Sequence, residues 1–182
     1  MYIGVCTNCH YNQLHVTERY HHRMGRKSTK ENKNIYQTSR EDIGLTREAT
    51  AELLAFISSD RIEKIENEKS LPHPDEILAM ADCYKNPGLC NYYCSHECPI
   101  GQEYVPEVKL KDLSQITLEM LASLNSLEKE KTRLIEITVD GVISDDEKED
   151  FERIQNQLAQ IAMAVDSLQL WVQKAIVDGK IN

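Results

Sequence analysis

Residues 45–69, Leu45-Thr-Arg-Glu-Ala-Thr-Ala-Glu-Leu-Leu-Ala-Phe-Ile-Ser-Ser-Asp-Arg-Ile-Glu-Lys-Ile-Glu-Asn-Glu-Lys, carry the reading that decides the fold. Two amphipathic helices lie in this stretch, each opened by a hydroxyl side chain able to cap the free N–H groups of its first turn. Thr46 opens a helix over Arg47–Ala55, and Ser58 opens a second over Ser59–Glu68. Leu54, Ile57, Ile62 and Ile65 fall where two short helices joined by a tight turn need apolar contacts, and Ala51 is small where the two would cross closely.

Upstream, a further helix covers Ile35–Ile43 and stops at Gly44, a C-cap residue. Downstream, Pro74 suits the first turn of a fourth helix with Asp75 and Glu76 beside its positive end, and Asn86-Pro87-Gly88 ends it after Tyr84. The stretch 45–69 and its continuation Ser70-Leu-Pro-His-Pro-Asp-Glu-Ile-Leu-Ala-Met-Ala resemble the Cro and repressor-type (lambda repressor-like, XRE) helix-turn-helix regulators. In that pattern a helix opening Leu-Thr is followed by Ala-Glu-x-Leu-Gly. A Ser-capped helix ending Ile-x-x-Ile-Glu-x-Gly comes next, then a Pro and a fourth helix with Leu-x-x-Ala.

The resemblance implies a lambda repressor-like five-helix DNA-binding domain whose third helix enters the major groove of double-stranded DNA; with the C-terminal antiparallel two-helix hairpin that the apolar stripes of 107–182 predict, the chain is expected to be all-α. It implies a sequence-specific transcriptional regulator, with Ser58, Ser59, Arg61, Lys64 and Asn67 as the DNA contacts. Arg, Lys and Asn are common readers of base edges, and Ser hydroxyls or helix N-terminal amides meet phosphate. At the turn the chain departs from the pattern. Ala55 stands nearest the family glycine, and Phe56 and Ile57 occupy the space of one apolar residue. One extra helical residue would rotate the third helix by about 100° unless the loop absorbs it. Asp60 and Glu63 add acids to that helix. The alternative reading is a degenerate helix-turn-helix that contacts protein in a larger regulatory or mobile-element assembly.

The domain organisation follows from composition. Residues 1–33 hold six Lys/Arg against two acids and four of the six His, and read as a basic arm. Met24 begins a stretch resembling a natural start. Residues 34–86 are the helix-turn-helix domain, 87–106 a cysteine-rich connector or fifth helix stopped by Pro99 and Gly101, and 107–182 the hairpin. Residues 34–182 hold 15 basic and 28 acidic residues, a balance that repels nucleic acid non-specifically and leaves binding to a local patch, the arm or a dimer.

In the hairpin, Leu113, Ile116, Met120, Leu124, Leu127 and Leu134 mark one stripe. Phe151, Ile154, Leu158, Ile161, Val165, Leu168 and Val172 form a heptad seam. Asp140-Gly141 is turn chemistry and Ser144 with Glu147 a capping box, within a run that also partly matches a calcium loop. Second-face residues such as Leu118, Leu121, Ala162, Leu170 and Trp171 predict a homodimer through 107–182.

Cys83, Cys90, Cys94 and Cys98 lie within sixteen residues. Such dense thiols suit zinc or an iron–sulfur cluster, yet Cys90 and Cys98 would stand about 12 Å apart on one straight helix. Small buried apolar packing residues and a redox-responsive pair are the other readings. Cys6-x-x-Cys9 with His10, His15, His21 and His22 is a zinc half-site without the finger spacing. No Gly-rich phosphate loop, Gly-x-Ser-x-Gly or His-Glu-x-x-His occurs, so no enzyme is expected. Absence of a long apolar run and of a secretion signal predicts a cytoplasmic chain that does not enter a membrane.

Overall fold

The computed structural model describes residues 29–181, so most of the basic arm, with Cys6, Cys9, His10, His15, His21, His22 and Met24, lies outside the described residues. Among the described residues the chain is all-helical, with eight helices and no strand. It forms two units: one runs to Glu107 and includes Val177–Lys180, the other is Val108–Ile176 with Ile181. No described helix is long and apolar enough to cross a membrane.

Four short helices begin the first unit: α1 (Ile35–Asp42), α2 (Arg47–Leu54), α3 (Ser59–Glu66) and α4 (Pro74–Cys83). Three of them are held at their starts by side-chain caps. Asn34 accepts from the Gln37 N–H at 3.0 Å, Thr46 from Ala49 at 3.1 Å and Ser58 from Arg61 at 3.2 Å. Each cap stabilises its helix by about 1 kcal/mol. At α4, which Pro74 opens, Glu76 instead reaches back to accept the His73 N–H at 2.7 Å. Helix α1 packs on α3, and α2 meets both α3 and α4. Their shared core contains Tyr36, Ile57, Ile62, Ile65, Ile77, Met80, Ala81, Tyr84 and Leu89, with Ala51 and Leu54 partly buried against it.

The connector is two helices rather than one. Helix α5 spans Gly88–His96 and α6 spans Pro99–Tyr104. Pro99 has two effects: it restricts Cys98 to extended backbone (φ −82°, ψ 119°), so that α5 stops at His96, and it opens α6 at the first helical position, where its missing N–H has no intrahelical role. Gly101 ends nothing; it is buried inside α6 where α6 crosses α5, and a Cβ there would overlap the carbonyl oxygen of Cys94. Tyr36 ties α1 to this region: its hydroxyl donates to Glu97 at 2.9 Å and its ring meets Tyr92 edge-on at 6.0 Å.

The second unit is built on α7 (Leu113–Thr138) and α8 (Lys148–Val177). Arg133 meets Asp150 at 2.6 Å and Arg153 meets Glu130 at 3.1 Å, so the helices run antiparallel and residues whose numbers total about 283 stand opposite. The same register opposes Ile116 to Ser167, both buried. Asp140 accepts from the Val142 N–H and Gly141 takes φ 72° in the turn.

Candidate nucleic-acid interface

The turn between α2 and α3 absorbs its extra residue locally. Ala55 adopts φ 58°, ψ −33°, and the Phe56 N–H donates to the Leu54 carbonyl at 2.6 Å. This is a γ-turn of the strained kind, centred on a residue with a Cβ. It throws Phe56 into solvent, 61% exposed, and returns Ile57 to the core at 2%. Helix α3 turns Ile62 and Ile65 into the core, where both are fully buried. Glu68, which stands where the repressor-type pattern has its glycine after Ile-Glu-x, likewise has φ 57°.

Helix α3 is anchored from behind by a buried ionic cluster. Glu66 accepts from Arg40 Nε at 2.6 Å and Nη2 at 2.9 Å, and from Arg47 Nε at 2.7 Å. Arg40 also donates to the Leu45 carbonyl at 2.6 Å. One carboxylate thus joins α1, α2 and α3.

Of the residues expected to meet DNA, Ser58 is exposed and occupied as the α3 cap, and Ser59 is the half-buried first residue of the helix. Lys64 is exposed. Asn67 is the C-cap; its Oδ1 accepts from Lys30 at 3.2 Å and its amide lies 3.4 Å from Glu63. Arg61 faces a different task. Its Nε and Nη2 grip Glu76 at 2.8 and 2.7 Å, Nη2 also donates to the Leu71 carbonyl at 2.9 Å, and Nη1 bonds the Ser70 hydroxyl. The hydrogen bond to Glu76 holds the guanidinium charged, and the same bond keeps Glu76 below its ordinary range.

Arg61 thereby clamps the α3–α4 loop instead of projecting outward. Glu76 is the partner that sequence reasoning missed. It was legible as an acid at a helix start, but only the loop 67–73 brings it back across α3. The exposed charges along Ser58–Ser70 are then Asp60, Glu63 and Glu68 against Lys64 and Lys69.

The four cysteines occupy separate positions. Cys83 lies on α4, Cys90 and Cys94 on α5, and Cys98 caps α6. Cys83 and Cys90 are packed against the core cluster, and burial pushes the Cys83 thiol up to about 11. Among the described residues no three His, Cys, Asp or Glu side chains converge on a point where a metal could sit.

Comparison of the chain with protein-family models, with curated proteins and with solved structures finds no match.

Proposed function

We propose that α1–α5 form a lambda repressor-like domain and that the protein is a sequence-specific DNA-binding transcriptional regulator. The observation that carries this reading is backbone conformation at the two glycine positions of the repressor-type pattern. Ala55 and Glu68 both hold positive φ, although neither residue favours it. In this reading Ala55 and Glu68 take up positive φ where the pattern has glycine, and α3 follows the turn as a recognition helix. In this reading α3 enters the major groove, Lys64 and Asn67 face base edges or phosphate, and the Ser58–Ser59 helix start meets the phosphate backbone.

Residues 29–107 hold eight basic against fifteen acidic residues, so affinity depends on these few contacts and on the basic arm. The test is a gel shift with DNA upstream of the protein's own gene across a salt series. Binding that Lys64→Ala weakens, with a salt slope shallower by about one, supports it. Arg61→Ala is the poorer probe because it also releases Glu76.

A second reading is favoured by the clamped Arg61 and the acidic balance of the exposed α3 face: a helix-turn-helix unit that contacts protein. No DNA binding at any low salt concentration selects it.

A further inference from the structure

We infer that one face of the α7–α8 hairpin is the contact surface for a second copy of this chain, closing a four-helix bundle. On α7, Leu113, Leu124 and Ile135 are exposed and spaced eleven residues apart; on α8, Leu158, Val165 and Ile176 are exposed and spaced seven and eleven. Steps of seven and eleven each return within about 20° of whole helical turns, so each trio lies in a strip about 40° wide.

The strip sits about 100° round α7 and about 120° round α8 from the side facing the other helix, which is marked by Ile116 and Glu130 on α7 and by Ala164 and Arg153 on α8. The rotation has the same sense on both helices. Because the helices run antiparallel, the two strips emerge on the same side of the hairpin. The heptad seam is thus divided: Ile154 is buried within the hairpin, and Leu158 and Val165 stand on the open face.

Charge and area identify the occupant. No Asp, Glu, Lys or Arg falls in the α8 strip between Phe151 and Ile176. The α7 strip holds only Lys131, which pairs with Glu128 along its own helix at 3.5 Å. A chain of net charge −9 repels its own copy across most surfaces, and this strip lets two copies meet without opposing like charges. The 26 residues of α7 are about 39 Å long, and two packed helices are about 20 Å wide. One face therefore offers about 800 Å², which is what each partner contributes to a stable interface of standard size. Two such faces stacked on a twofold axis form a four-helix arrangement of the ordinary kind.

The experiment measures the solution mass of the full chain by light scattering and sedimentation, independently of any DNA binding. The expected wild-type mass is twice 20.9 kDa. Leu158→Lys and, separately, Leu124→Lys raise the dimer dissociation constant by about 100-fold or more, since each change enters the interface twice. Circular dichroism identifies which variants keep their helices, and the conclusion is read from those. Leu118→Lys is the control: Leu118, which the sequence groups with the dimer face, is exposed about 120° round α7 from the strip, and its variant stays dimeric. A monomeric wild type, a dimer that survives both strip variants, or equal dissociation by Leu118→Lys overturns the proposal.

Discussion

Replacing Ala55 and Glu68 by glycine should stabilise the first unit, against the rule that glycine weakens a helical protein. Both residues hold φ near 57°, and Ala55 also carries a tight hydrogen-bonded turn through Phe56 and Leu54. A left-handed conformation costs an L-residue about 1–2 kcal/mol. Glycine removes that cost but adds about 0.5–1 kcal/mol of unfolded-chain entropy. The net gain is about 0.5–1 kcal/mol per site. The two sites share no partner in the structure, so the double variant should gain about 1–2 kcal/mol. Urea unfolding followed by circular dichroism measures this as a raised midpoint with an unchanged slope. Glu52→Gly, at an exposed position inside α2, should instead cost about 0.5–1 kcal/mol. If Ala55→Gly destabilises as Glu52→Gly does, residue 55 is not left-handed, and the proposed repressor-like placement of α3 loses its support.

Three further outcomes follow from the packing. Glu66→Ala removes the carboxylate that accepts two of the hydrogen bonds of the buried Arg40 guanidinium, leaving it the Leu45 carbonyl and Glu41 at 3.9 Å, and should cost about 3 kcal/mol in urea unfolding, a large share of the stability of a small domain. The Arg61 hydrogen bond holds Glu76 below its ordinary value of 4.5, so the stability it contributes is present above that pH and is lost as pH falls through the lowered value. Acid titration of the folded protein should show a shallower decline for Glu76→Gln than for the wild type. Gly101→Ala drives a Cβ into the Cys94 backbone, which cannot rotate aside as a side chain would, and should lower stability by about 2 kcal/mol or more in thermal unfolding.

Much of the fold is legible in the chain because its signals are local. A Thr or Ser hydroxyl ahead of an amphipathic run binds an N–H three residues on, so Thr46 and Ser58 mark helix starts wherever the rest of the molecule lies. The spacing of Ile62 and Ile65 along α3 names the buried face for the same reason, and Asp140-Gly141 marks the hairpin turn.

The amino-acid sequence alone therefore determines the all-helical character, the capped starts of the helices around the turn and which apolar residues turn inward. Tertiary structure decided the rest. Gly101 looks like a terminator until a neighbouring helix gives it a reason to be small. Arg61 looks like a free cation on an exposed helix until the α3–α4 loop folds back and presents Glu76 to it. Phe56 and Ile57 are indistinguishable as apolar neighbours until the core accepts one and the strained turn at Ala55 ejects the other. The physical reason is common to all three: capping and periodicity are settled within a turn or two of helix, whereas the partner of a charge and the room beside a glycine depend on residues that only folding brings near.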